Sequence, residues 1–218
     1  MTEIILIRHG ETEFNREGRM QGRRDSALTE KGRAEAAALG RRLGGLPPAD
    51  AWIVSPLGRT RETSRIMREN MSSTDLPEER HAPEIQEISC GEFEGRLKSE
   101  LDPEYLGRIQ GLADVPYPGG ESLLDVMERA RQFLKDPVFN RAGRIVLVTH
   151  GNFGRAFGAA ATGQGPDFAL RCVLENTGVC RFVSRTPSNG GEAVSVEQEG
   201  YYLLRSWNDV SHLEQSSS

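Results

Sequence analysis

The sequence predicts an α/β fold around a largely parallel sheet. Uninterrupted aliphatic runs at Ile4–Ile7 and Ile145–Val148 have the character of strands buried on both faces. Apolar residues at helical spacing lie between such runs, as strand–helix alternation requires. The 218-residue length favours one domain, and neither an internal repeat nor a separating linker divides it. We expect a single domain over residues 1–213 and a short flexible tail over 214–218.

Each element has a local reason. Ile4–Ile7 forms the first strand and stops at Arg8-His9-Gly10. A polar, arginine-rich loop follows, from Glu11 to Ser26. Thr29 caps a helix that starts at Glu30, and Ala36, Leu39, Leu43 and Leu46 recur at helical spacing until Gly44-Gly45 and Pro47-Pro48 end it. Ala51–Val54 is the second strand. Ser55-Pro56 has the pattern of an N-cap with proline at the first helical position, so a helix is expected from about Leu57 to Asn70. Glu84–Ile88 reads as a short extended segment, and residues 96–118 as weakly helical and then irregular. Ser122 and Asp125 form a capping box ahead of a stripe at Leu123, Met127, Ala130 and Leu134. Arg144–Val148 is a strand ending at Thr149-His150-Gly151, and Phe153 and Phe157 line the helix after it. Val179–Ser184 and Tyr201–Arg205 read as late strands, with a turn at Ser188-Asn189-Gly190-Gly191 between them.

Composition narrows the function. Hydrophobic residues make up 37% and charged residues 27%, which excludes a disordered chain. Twenty-seven basic against 32 acidic residues give a net charge of −5, so the surface as a whole does not attract nucleic acid. No apolar run reaches the roughly 18–20 residues of a membrane helix, and Met1-Thr2-Glu3 lacks a basic leader region. The three cysteines, Cys90, Cys172 and Cys180, have no C-x-x-C spacing, which fits a reducing compartment. We expect a cytoplasmic protein whose partner is neither nucleic acid nor a membrane.

Chemistry concentrates at two strand ends, His9-Gly10 and His150-Gly151. Ligands of open α/β sheets bind beyond the carboxyl ends of the strands, so both imidazoles share one crevice if their strands are neighbours. Arg8 adjoins His9, and Arg59 follows the strand end at Ser55-Pro56. Two guanidinium forks with two imidazoles suit phosphate oxygens. Taken singly, a strand-end histidine is more often structural, and an arginine in a charged helix is more often solvated. The joint pattern, at successive strand ends, is what favours function.

These motifs resemble the histidine phosphatase superfamily, whose phosphoglycerate mutase-like branch is the best known. The likeness runs through Arg8-His9-Gly10-Glu11-Thr12-Glu13-Phe14-Asn15, Gln21-Gly22, Asp25 and Leu28-Thr29. It continues through Gly32, Ser55-Pro56-Leu57 with Arg59, Glu87 with Gly91, Glu94-Gly95, Gly119-Gly120-Glu121-Ser122 and Thr149-His150-Gly151. The resemblance implies a three-layer α/β/α sandwich with a largely parallel central sheet. It implies a phosphohistidine on His9, formed by in-line attack on phosphorus. Arg8, Arg59 and His150 would surround the phosphoryl oxygens, with Asn15 as a further donor and Gln21 and Gly22 lining the substrate site. Glu87 is the implied general acid and base, with an arginine-paired structural role as its alternative. No metal and no cofactor are implied. An acceptor on the second nitrogen of His9 is needed to leave the attacking nitrogen unprotonated.

Hydrolysis and mutase-type transfer share this machinery. The segment between Glu94-Gly95 and Gly119-Gly120 is short for a cover that excludes water, so hydrolysis of a small anionic phosphomonoester is expected. Arg16, Arg19, Arg23 and Arg24 give the first loop a basic character; at least two of them are expected to be solvated, and Arg23 or Gln21-Gly22 is expected to line the mouth of the site. Cys90 is expected as a neutral wall residue, and Cys172 and Cys180 as core residues. Trp207–Leu213 is similar to a C-terminal segment of several phosphatases of that family, which offers His212 as a cap over the pocket, but a surface position is expected for it. A metallohydrolase lacks H-E-x-x-H or a comparable ligand cluster here. A non-catalytic phosphate-binding protein would not need all of His9, Arg8, Arg59, Glu87 and His150. The oligomeric state is left open, a homodimer included.

Overall fold

The computed structural model describes residues 1–72, 75–184 and 202–216. Six strands form one sheet: β1 (Glu3–Arg8), β2 (Ala51–Val54), β3 (Glu79–His81), β4 (Arg144–Thr149), β5 (Val179–Ser184) and β6 (Tyr202–Asp209), in the order β3-β2-β4-β1-β5-β6. The pairs β1–β4, β2–β4 and β2–β3 are parallel, whereas β1–β5 and β5–β6 are antiparallel. The turn expected at Ser188-Asn189-Gly190-Gly191 lies outside the described residues.

Among the described residues eight α-helices connect these strands: α1 (Glu13–Arg16), α2 (Glu30–Leu43), α3 (Gly58–Glu69), α4 (Pro103–Gly111), α5 (Leu123–Phe133), α6 (Val138–Arg141), α7 (Gly151–Thr162) and α8 (Pro166–Arg171). Alternation along the strands explains why they sit on both faces. Ile5, Ile7, Trp52, Val146 and Val148 pack with Ala36 and Leu39 of α2 and Met67 of α3. Ile4, Leu6, Ile53, Ile145 and Leu147 point the other way, to Val126 and Met127 of α5 and Phe153 and Phe157 of α7. The result is three layers. Burying each of these large side chains contributes about 1.5–3 kcal/mol.

Local signals hold where the cap is local. Thr29 Oγ1 accepts from Gly32 N at 3.0 Å, and Ser122 with Asp125 makes the expected capping box. Three expectations fail. The segment read as loop from Glu11 to Ser26 carries the short helix α1, capped by Thr12 Oγ1, which accepts from Asn15 N at 3.2 Å. Ser55 does not cap α3, which begins at Gly58 with Leu57 at the N-cap and no side-chain cap bond. Ser55 instead extends the sheet, its N–H donating to Val148 O at 3.0 Å. The free amides of α3 go to a distant acceptor, Asp25, whose carboxylate accepts from Gly58 N and, at 3.3 Å, from Arg59 N. Glu84–Ile88 is not extended throughout. Pro83–Ile85 is a 3-10 turn closed by Ile85 N to Ala82 O at 3.2 Å, and the edge strand lies just before it, at β3. Among the described residues no helix is long and apolar enough to cross a membrane.

Candidate active site

Sheet register builds the centre of the site. Arg8 at the end of β1 pairs with Thr149 at the end of β4, and His9 N donates to Thr149 O at 2.9 Å. The next residue on each strand is a histidine, so the rings meet edge to face with centroids 5.3 Å apart. Both imidazoles are buried.

His9 has a defined tautomer. Its Nδ1 lies 2.8 Å from Gly10 O, and a carbonyl only accepts, so Nδ1 carries the hydrogen and Nε2 keeps its lone pair. Burial holds the His9 pKa well below the ordinary imidazole value, and the Arg59 and Arg8 charges add to it. The ring is therefore neutral, with Nε2 unprotonated. Gly10 permits this turn because a Cβ there would lie 2.5 Å from Gly32 O. His150 is held neutral in the same way, by burial first and then by Arg59. Its Nε2 lies 2.7 Å from Ser55 Oγ, and its Nδ1 has no partner among the described residues.

The arginines are anchored by their outer nitrogens. Arg59 is 1% exposed. Its Nη2 donates to Gly22 O at 2.7 Å, and its Nη1 to Arg24 O and Asp25 Oδ1, each at 3.1 Å. Arg8 Nη1 donates to Leu174 O at 2.8 Å. The Nε atoms of both are buried without a partner. Two guanidinium N–H groups and one imidazole nitrogen thus lie unmatched around His9, and such buried groups normally find a hydrogen-bond partner. A tetrahedral oxyanion has the charge and acceptors to supply it.

Glu87 sits at the N-terminus of α7. Its Oε1 accepts from Ile88 N at 2.9 Å and Phe153 N at 3.1 Å, and its Oε2 from Asn152 N at 3.2 Å. No arginine side chain pairs with this carboxylate among the described residues. Arg129 instead holds the backbone of the segment, donating to Glu84 O, Gln86 O and Glu87 O, while Glu121 bridges Arg129, Arg23 and Ser89 N.

Arg8, His9, Arg59 and Glu87 line a cavity of about 280 Å³, whereas His150 is not part of its lining and meets the site through its ring contact with His9. Asn15, Gln21, Gly22 and Cys90 reach it as expected. Gln21 spends its amide within the loop, accepting from Thr12 Oγ1 at 3.1 Å and donating to Ser26 Oγ at 3.1 Å. Gly22, at φ +55, has no room for a side chain beside Glu94 and serves through its carbonyl. Arg23 does not reach the cavity lining and pairs with Glu121 at 3.0 Å. Cys172 lines the cavity rather than the core, whereas Cys180 is buried. His212 is not at the surface but 4% exposed, with Nε2 3.0 Å from Thr177 Oγ1. Lys98 and Arg155, which no local pattern singles out, join Arg19 in the lining, so five cationic side chains including Arg8 and Arg59 face the single carboxylate of Glu87. Among the described residues no cluster of histidine, cysteine or carboxylate side chains could hold a metal ion.

Residues 4–196 match the family model for branch 1 of the histidine phosphatase superfamily. This chain belongs to that superfamily. Histidine phosphatase relatives include both activities weighed from the sequence. A metal-independent phosphoserine phosphatase of Arabidopsis thaliana is 30% identical over 98% of this chain and 84% of its own. A 2,3-bisphosphoglycerate-dependent phosphoglycerate mutase of Gloeobacter violaceus is 34% identical over 72% of this chain and 74% of its own. A phosphoserine phosphatase from Entamoeba histolytica, solved as a mutant with phosphoserine, superposes with a TM-score of 0.79 at 28% identity, covering 98% of this chain and 100% of its own. The same protein has been solved with 3-phosphoglyceric acid.

Proposed function

We propose that this histidine phosphatase hydrolyses a small anionic phosphomonoester, without a metal, through a phosphohistidine on His9. The observation that carries this reading is the His9 Nδ1 contact to Gly10 O, which leaves Nε2 free beside the unmatched nitrogens of Arg8, Arg59 and His150.

In the first step Nε2 of His9 attacks phosphorus, the N–P bond forms and the P–O bond to the alcohol breaks. Glu87, as a carboxylic acid, gives its proton to the leaving oxygen. In the second step water attacks phosphorus, the N–P bond breaks and Glu87 takes the proton that water loses. Arg8, Arg59 and His150 hold the three equatorial oxygens, and their fixed positions lower the barrier because charge is matched where it develops. Asn15 borders this cage.

Arg19, Lys98 and Arg155 extend positive charge beyond the phosphate position, which supports a substrate with a second negative group such as a carboxylate. Phosphoserine and 3-phosphoglyceric acid, the ligands of the Entamoeba enzyme, have that chemistry. Hydrolysis is preferred to transfer because the cover over 96–118 is short, which leaves a path for water. The test is a screen of phosphorylated metabolites in EDTA, measuring released phosphate and isomerised product together. Phosphate release from a carboxylated phosphomonoester is expected. Isomerisation without release would make the protein a mutase, and activity lost to chelator would end the metal-independent reading.

A further inference from the structure

Residues 173–178, between α8 and β5, support the site from behind. Leu174 O accepts from Arg8 Nη1 at 2.8 Å. Asn176 Nδ2 donates to His9 O at 3.0 Å and to Asn15 Oδ1 at 3.3 Å. Thr177 N donates to Arg8 O at 3.1 Å and His9 O at 3.3 Å, and Gly178 O accepts from Arg8 N at 3.3 Å. The guanidinium of Arg8 and the main chain of the proposed nucleophile are therefore tied to this loop as well as to the sheet.

Within itself the loop makes one backbone bond, Gly178 N to Glu175 O at 3.0 Å, and most of the rest of its support is external. Val173 is 63% exposed. Thr177 is buried at φ +52, a conformation that a β-branched residue rarely adopts unless its surroundings enforce it. The surroundings come from the end of the chain. Trp207 Nε1 donates to Val173 O at 2.6 Å, Asn208 Oδ1 accepts from Glu175 N at 2.8 Å, and His212 Nε2 lies 3.0 Å from Thr177 Oγ1. Thr177 Oγ1 gives its own hydrogen to Asn176 O at 2.8 Å, so it accepts from His212 Nε2–H. Three side chains thus grip loop residues 173, 175 and 177 in turn. The gripping segment is itself tied down, since Asp209 pairs with Arg42 of α2 and the Trp207 ring packs on Phe168 at 5.1 Å. None of Trp207, Asn208 or His212 lines the cavity.

We infer that Trp207, Asn208 and His212 are positioning residues, a C-terminal clamp that fixes Arg8 and His9 in their reactive geometry through the 173–178 loop. This rests on the phosphatase reading for its kinetic readout, but not for its binding readout. A positioning role has a signature that general stabilisation lacks. Loss of geometry weakens binding of a trigonal-bipyramidal phosphoryl mimic more than binding of tetrahedral phosphate.

The experiment compares wild type with His212→Phe, which fills the space without the N–H, His212→Gln, which restores a donor, and Asn208→Gly, which keeps the φ of +52 accessible and removes the acceptor. Each is assayed for kcat and KM on an aryl phosphate. Each is also titrated with orthovanadate and with inorganic phosphate, and its folded fraction is read by circular dichroism. We expect His212→Phe and Asn208→Gly to lose about tenfold or more in kcat, with vanadate affinity falling in parallel and phosphate affinity changing less than about threefold. His212→Gln should recover most of the loss. Wild-type kcat and vanadate affinity in His212→Phe would overturn the clamp. So would a loss equal to the unfolded fraction, or equal weakening of vanadate and phosphate. If wild type hydrolyses no ester, the proposed function fails, and the vanadate comparison alone decides the clamp.

Discussion

Ser55 Oγ stands 2.7 Å from Nε2 of His150, and this is the one hydrogen bond the ring makes among the described residues. A hydroxyl can donate to that nitrogen, which places the ring hydrogen on Nδ1, the atom without a partner that the proposed phosphoryl cage would use. Ser55→Ala is expected to keep the fold and lower kcat about tenfold, the worth of one such bond. Steady-state kinetics on an aryl phosphate checks it, and an unchanged kcat would show that the ring is oriented by packing alone.

His9→Ala is expected to lower turnover by about 10⁴-fold or more, in EDTA as in its absence, because the covalent route is lost. Phosphate release by the variant in a sensitive coupled assay, at even a tenth of the wild-type rate, would remove His9 as the nucleophile.

Glu87→Gln separates a proton donor from a structural carboxylate. The amide keeps one acceptor for the amides at the start of α7 but cannot deliver a proton. Hydrolysis of alkyl phosphates should fall about 10²–10⁴-fold, and that of aryl phosphates with good leaving groups much less. Equal losses on the two substrate types would make Glu87 structural.

Stability should fall as the pH drops below about 6.5, where imidazoles of the unfolded chain gain protons. Burial, followed by Arg59, keeps His9 and His150 neutral in the folded state, and burial brings the His212 pKa down to about 4. The unfolded state therefore binds more protons, and each such histidine steepens the loss by up to about 1.4 kcal/mol per pH unit. Glu35, whose pKa burial raises, acts in the opposite sense and offsets part of that slope. Urea unfolding midpoints at pH 7 and pH 5 test the sign. A midpoint that rises toward pH 5 would mean that these rings are charged in the folded state.

Much of this site is legible in the sequence because its core follows from strand ends. A buried aliphatic run that stops at His-Gly fixes where the imidazole lies, and two such runs that pair in parallel place both rings together. Arg59 is legible from its spacing after a strand. Ser55-Pro56 has a helix-start pattern, yet the Ser55 hydroxyl satisfies a ring 95 residues away in sequence. Asp25 caps α3 from a different loop, which no local pattern encodes. Lys98, Arg155 and the 173–178 loop reach the cavity through tertiary packing, and the burial of His212 depends on a segment folding back across the molecule. β3 is three polar residues at an edge, too short to show alternation.

Because Arg8 pairs with Thr149 directly, the spacing between the two imidazoles is set by the hydrogen-bond ladder and comes in whole residue steps. A slip of one residue would turn one ring to the opposite side of the sheet, so the reaction centre has no near neighbours in shape through which it could drift. The walls that choose a substrate carry no such constraint. In this architecture, reactivity is inherited with the strand pairing, and appetite can be rewritten loop by loop.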